Sequence, residues 1–238
     1  MTAETTRAAA DAELDSAVVA AHRDLAGLAV LLDDEALAEF IGAPGARGDR
    51  LRLKPASSAR LSVVDAAGRW SIVHAFAPAA WAKAVKDIAN VGPAGRSSVV
   101  IDERRRLVAT PATDDRRLVS LDAWRPDSQK WPRRAAFEGL RPLGIRGSRS
   151  GRRALRVRTL AHNPSRRWVG VVLSAGEPVA VVKVFARSTD ARRAPSMAAA
   201  IGAGGVVPRH ATAPALRNTH VMSWVDGRHA DPTGDAGI

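Results

Sequence analysis

Cysteine is absent from the 238-residue chain. That excludes disulfides, iron–sulfur clusters, thiol nucleophiles and cysteine–zinc sites. Tyrosine is absent too, and six Trp and four Phe make up all the aromatic side chains. Lysine is scarce: arginine supplies 31 of the 36 basic residues, a bias that reads as a GC-rich genome before it reads as chemistry. No long apolar run exists. The longest, Ala26 to Leu32, is far too short to span a bilayer. The first residues include Glu4, Asp11, Glu13 and Asp15, the reverse of a basic signal-peptide start. A cytoplasmic protein without a membrane partner is the expectation. What remains is ordinary for a globular protein, with 46% hydrophobic and 25% charged residues, which argues against disorder or a fibre. The length allows one large domain or two small ones.

The formal net charge of +12 is unevenly spread. Residues 1–40 hold nine acids against Arg7 and Arg23, and residues 133–167 hold eleven Arg against Glu138 alone. The centre of the basic stretch, Arg141 to Arg153, has turn formers and no apolar period, so it reads as a mobile linker and a domain boundary. Such a segment can attract nucleic acid through phosphate contacts, although no recognised nucleic-acid motif accompanies it here.

Periodicity organises the rest. Leu14, Val18, Ala21, Leu25, Leu28 and Leu32 step by three or four, which predicts an amphipathic helix over 11–32. Asp33 or Asp34 can cap a second helix, Glu35 to Ile41, ending at Gly42. These helices are expected to pack on the domain behind them. From Leu51 the texture turns to strands. Leu61–Val64 and Trp70–Phe76 flank Asp65-Ala-Ala-Gly68, a hairpin-turn signal. A helix over Ala79–Val91 follows, then a strand pair Val99–Asp102 and Leu107–Thr110, and a last strand at Leu118–Leu121. Beyond the linker, Leu155–Ala161, Trp168–Ser174 and Val179–Ala186 read as strands, and His162–Arg167 as a loop. Asp190–Ile201 reads as a helix, and Val206–Pro208 and Thr219–Val225 as closing strands.

The two strand-rich regions align without gaps at an offset of 109, with seven identities between residues 51–77 and 160–186. Pro55 falls on Pro164, Val73 on Val182 and Phe76 on Phe185; His74 stands where the second copy has Lys183. The shared order of strands, hairpin and helix points to a duplication. The expected organisation is a helical segment 1–50, a first lobe 51–130, a basic linker 131–154 and a second lobe 155–238, in an α+β fold.

Val181-Val-Lys-Val-Phe185 is the stretch richest in chemistry. Alternate strand residues share a face, so Val179, Val181, Lys183 and Phe185 point one way. A lone Lys on an apolar sheet face calls for an anion; phosphate suits it, and Val181 could touch a flat base. The other polar groups suggest less. His210 and His220 lack a carboxylate at metal-ligand spacing. Asp102-Glu103 and Asp114-Asp115 each precede Arg residues in turns and read as solvated charge.

From Leu155 to Gly227 the chain resembles the amino-terminal lobe of aminoglycoside phosphotransferases and related protein-kinase-like small-molecule kinases. The resemblance rests on strand, loop, strand, turn and a strand ending Ala180-Val-Val-Lys183, then a helix, Val206-Val-Pro208 and the hinge-like His220-Val-Met-Ser-Trp-Val-Asp-Gly227. It implies a kinase-like amino-terminal lobe, an antiparallel sheet plus helix, here duplicated and preceded by helices. By that resemblance Lys183 holds the α- and β-phosphates of ATP beside Val181. The loop Asn163–Arg167, with Ser165 and Arg166, covers the phosphates, and backbone groups at Met222 to Trp224 meet the adenine. The chain departs from the family in a loop without Gly and in a helix 190–201 without the Glu that pairs with the strand Lys. The family's catalytic lobe would follow the hinge. His229-Ala-Asp231 matches the letters of its catalytic motif, but only eleven residues come after Gly227. The resemblance thus implies a truncated phosphotransferase with no catalytic residue of its own, weak ATP binding, and Mg²⁺ only if a separately encoded catalytic lobe supplies its ligands. Two alternatives stand beside it: a scaffold or interaction module, and a nucleic-acid-binding protein using the Arg-rich linker.

Overall fold

The computed structural model describes residues 13–89, 99–124, 134–145, 155–193, 208–212 and 216–225. The fold is α+β, with two antiparallel five-stranded sheets and a few helices. Two compact units divide the chain. The first takes residues 1–119 together with 161–168, and the second takes 120–160 and 169–238.

Sheet 1 is formed by β1 (Arg47–Lys54), β2 (Ser58–Val64), β3 (Trp70–Phe76), β4 (Val100–Asp102) and β5 (Leu107–Pro111), in the order β1-β2-β3-β5-β4. One face carries Ala59, Leu61 and Val63 of β2, Val73 and Ala75 of β3, and Leu107 and Ala109 of β5. These pack with Leu25, Leu28, Leu31 and Leu37 into one buried apolar cluster. The amino-terminal helices therefore cover sheet 1, as their apolar spacing predicts. The long helix expected over 11–32 is instead broken: residues 13–21 are helical, a turn follows, and Leu28–Leu31 form a separate short helix. Gly27 sits at the break, where an added Cβ would lie 3.0 Å from the Arg105 carbonyl oxygen and closer still to the Leu107 side chain. Without a side chain at 27 the backbone can approach β5 directly. Asp33 caps the helix Asp34–Ile41, its carboxylate accepting from the backbone N–H of Glu35 (2.9 Å) and Ala36 (3.1 Å), and Gly42 closes it at φ 64°. The hairpin turn at 65–68 forms as expected, with the Asp65 carboxylate accepting from Ala67 and Arg69 N–H.

Sheet 2 is formed by β6 (Leu155–Asn163), β7 (Arg167–Ser174), β8 (Glu177–Phe185), β9 (His210–Thr212) and β10 (Thr219–Ser223), in the order β6-β7-β8-β10-β9. Ala180, Val182 and Val184 of β8, with Ala211 and Val221, are buried. The β7–β8 turn is Ala175-Gly176, with φ 52° and 94°, the positive pair that a two-residue type I′ hairpin demands.

Several expectations need correction. Leu118–Leu121 is no strand: Val119–Trp124 is a 3-10 helix, its Leu121 and Trp124 buried. The basic stretch is not a linker at its start. Arg134–Leu140 is a helix followed by a 3-10 turn, Arg141–Leu143, and Ala136, Leu140 and Leu143 are buried. The Arg209 guanidinium donates to the Leu143 carbonyl at 3.3 Å, tying this segment to the start of β9. The burial of three apolar side chains holds the segment in place, while Arg141 is exposed. Pro208 is not in a strand, and the short strand is His210–Thr212 instead; three mixed residues carry no alternation signal. Residues 188–193 are helical. The remainder of the helix expected to 201, Val206, Val207, and His229 with Asp231 lie outside the described residues.

The crowding at Gly27 makes a specific demand. Gly27→Ala forces a methyl group against Leu107, an overpacking expected to cost about 1–3 kcal/mol. Urea denaturation should show a lower midpoint with an unchanged slope, and a midpoint at the wild-type value would show that the β5 contact yields freely.

Candidate functional site

Two polar constellations emerge, one in each unit. The first lies on the face of sheet 1 opposite the helices. Cross-strand partners share a face, and the register places Arg52 opposite Arg60, Arg60 opposite His74, Arg50 opposite Ser62, and Ser62 opposite Ile72. Against this face lies the β6–β7 turn, which belongs to the first unit. Ser62 Oγ is 3.1 Å from His162 Nδ1. His162 Nε2 is 3.3 Å from Asp115 Oδ2. The same carboxylate accepts from Ser165 N–H at 2.6 Å, and its other oxygen accepts from Arg117 N–H at 3.1 Å. Arg60 donates to Ser165 Oγ.

A carboxylate only accepts, so Nε2 carries the proton toward Asp115 and Nδ1 is left to accept from the Ser62 hydroxyl. The sequence Ser–His–Asp matches the connectivity of a nucleophilic triad. Access does not: Ser62 and His162 are wholly buried, so no substrate reaches the hydroxyl and the line serves structure. Burial works to raise the Asp115 pKa, but the hydrogen bonds from His162 and Ser165 N–H outweigh it and hold the carboxyl below its ordinary value. The expectation of a solvated Asp114-Asp115 pair is thus corrected for Asp115, which is buried. His162 likewise belongs to strand β6 and not to a loop. Their pairing was not legible in the sequence, because His162 is 47 positions from Asp115 and 100 from Ser62.

His74 is a half-buried neighbour of this line. Its Nε2 is buried and meets no partner among the described residues. Burial first, and the Arg60 charge second, push its pKa down to about 3.

The second constellation lies on sheet 2. Register sets Lys183 opposite His220 and Val181 opposite Met222, and on the far side of β10 it sets His220 opposite Thr212 and Met222 opposite His210. One face therefore gathers Val181, Lys183, His220, Met222, His210 and Thr212, while Ala180, Val182 and Val184 fill the other. The imidazoles of His210 and His220 stack at 4.9 Å with a 13° interplanar angle, and His210 Nδ1 is 2.9 Å from His220 Nε2. Burial, then the neighbouring His210 and Lys183, lower the His220 pKa to about 4.

Of the six residues expected to hold a nucleotide, Val181, Lys183 and Met222 share this face. Trp224 follows β10, and its N–H donates to the Val179 carbonyl at 3.1 Å; Ser223 N–H donates to Arg209 O at 2.8 Å. These two N–H groups are committed to the sheet, so they are not available to an adenine edge as the hinge resemblance implies. Ser165 and Arg166 belong to the first unit. Ser165 already spends its N–H on Asp115 and its hydroxyl on Arg60, and Arg166 N–H closes the turn onto Asn163 O at 3.0 Å, which argues against an open phosphate cradle there. Among the described residues no group of three or more His, Asp or Glu is placed to hold a metal ion, and no helix is long and apolar enough to cross a membrane. Comparison of the chain with family models, curated proteins and solved structures finds no match.

Two measurements follow from the buried groups. Asp115→Ala leaves His162 Nε2 and Ser165 N–H without their acceptor, which should cost about 2–4 kcal/mol at neutral pH; a loss below that, read from urea unfolding, would mean that water replaces the carboxylate. The lowered pKa values of His74 and His220 set a pH dependence. Unfolded imidazoles titrate near 6.5, whereas the folded ones resist protonation down to about 3 and about 4. Below pH ~6.5 the unfolded chain binds protons that the folded chain refuses, so stability declines from there toward acid and is complete above it. Denaturation midpoints should fall steadily from neutral pH toward pH 4, and a flat profile would contradict the buried neutral imidazoles.

Proposed function

We propose that the second unit is a nucleotide-binding lobe of the kinase-like kind, in which Lys183 holds phosphate and Val181 with Met222 supports the base. The observation that carries this reading is the single face on which Val181, Lys183, Met222 and His220 stand side by side. A cation flanked by aliphatic and thioether side chains offers one end to phosphate and a flat apolar surface to a purine. His220 is neutral at physiological pH, so the fixed charge at this face comes from Lys183.

Duplication belongs to the same reading. Both sheets follow the same order, with the third, fifth and fourth strands adjacent in turn. At an offset of 109, β2 falls on β7, and β1 and β3 fall within β6 and β8. The turn residues Ala56 and Ser165, at that same offset, both have positive φ, 53° and 58°. Phosphoryl transfer needs a carboxylate base and metal ligands beyond such a lobe. This reading assigns them to a separately encoded catalytic lobe, and the two sheets by themselves bind nucleotide without transferring a phosphoryl group. The competing reading, a scaffold module, draws on the committed N–H groups of Ser223 and Trp224.

Calorimetry with MgATP in phosphate buffer separates the two. The wild-type chain should give a weak, saturable signal that Lys183→Ala abolishes and that Lys86→Ala, which removes an exposed lysine of the first unit, preserves. Equal signals in wild type and Lys183→Ala would move the nucleotide elsewhere, and no signal in wild type would leave the scaffold reading.

A further inference from the structure

The face of sheet 1 that carries Arg60 presents a problem of charge. Arg52 and Arg60 stand directly opposite each other on β1 and β2, and like charges in that relation are destabilising. Arg117 adds a third guanidinium whose charge acts on Arg60, and among the described residues Asp115 is the carboxylate that opposes it. Asp115 is already engaged by His162, Ser165 N–H and Arg117 N–H. Among the described residues, guanidinium charge around Arg60 therefore exceeds carboxylate charge. Arg60 is half-buried, and burial together with Arg52 and Arg117 lowers its pKa against the opposing pull of Asp115. One of its five N–H donors goes to Ser165 Oγ, and Arg52 makes no side-chain hydrogen bond or ion pair with a described residue. The row ends across β3 at His74, whose buried Nε2 also lacks a partner among the described residues.

We propose that this row, Arg52 and Arg60 on adjacent strands, is a binding site for a small tetrahedral oxyanion of the phosphate type. An oxyanion matches the excess of positive charge. Guanidinium forks present paired N–H donors that suit its oxygens, and an anion between Arg52 and Arg60 turns a repulsive cross-strand pair into a bridged one. The buried Ser62–His162–Asp115 line fixes the turn that carries Ser165, and through Ser165 it holds Arg60 in place on β2. This site lies in the first unit and is independent of the nucleotide reading of the second.

The test titrates the full chain with inorganic phosphate, read by calorimetry and by thermal unfolding, with chloride at matched ionic strength. Phosphate should bind saturably and raise the unfolding temperature, as a ligand selective for the folded state must. Arg52→Gln and Arg60→Gln should each weaken phosphate at least tenfold, Arg60→Lys should restore part of the loss, and Lys86→Ala, at an exposed lysine of the first unit, should leave it unchanged. Arg52 is exposed, so its variant folds and decides the matter even where Arg60→Gln does not. Absence of saturable binding in wild type, an equal response to chloride, or undiminished phosphate affinity in Arg52→Gln would overturn the proposal.

Discussion

The Asp115 carboxylate is the interaction on which the polar side of the first unit depends. It is buried, and a buried carboxylate is tolerated only where donors replace its water. His162, Ser165 and Arg117 supply them, two of the three through backbone N–H groups that no side-chain substitution at those positions removes. The arrangement runs inward as well: His162 passes the demand on to Ser62, in the middle of β2. A polar group left unsatisfied at any point of this line would carry the full penalty of desolvation, so the line holds the β6–β7 turn against sheet 1.

Sheet 1 reconciles two opposed faces because a strand alternates. Odd positions of β2, Ala59, Leu61 and Val63, face the leucines of the amino-terminal helices. Even positions, Arg60 and Ser62, face the buried polar line. Sheet 2 repeats the alternation on β8, where Ala180, Val182 and Val184 are buried and Val181 and Lys183 lie on the more open side. The third strands of the two sheets differ in chemistry: His74, neutral and with its Nε2 buried, against Lys183, a cation opposite a histidine. The same strand order thus supports different electrostatics, because the pleat fixes only which side a residue faces and the neighbours fix what it meets there.

Hydrophobic periodicity made much of this architecture legible. The alternation of Leu61–Val64 and Trp70–Phe76 around Asp65–Gly68, the cap at Asp33 and stop at Gly42, and the strand pair around 103–106 are local signals with local causes. They hold because each turn satisfies its own backbone. The break at residues 22–27 was not legible, since the leucine spacing continues through it; the close approach of Gly27 to β5 decides it. The helix at Arg134–Leu140 was hidden for a similar reason. Its seven residues are too few to show a clear period, and the burial of Ala136 and Leu140 depends on packing that includes β9.

The sequence by itself determined the alternation of strands, the α+β class and the placing of Val181 and Lys183 on one side of one strand, because these follow from the pleat and from nearest neighbours. Only the tertiary structure decided that Asp115 is a buried acceptor, that His162 bridges it to Ser62, and that Arg52, Arg60 and His74 form one row. Those groups lie on different elements, from 8 to 100 positions apart. Their chemistry arises from desolvation and charge proximity, and neither quantity exists until the chain has folded.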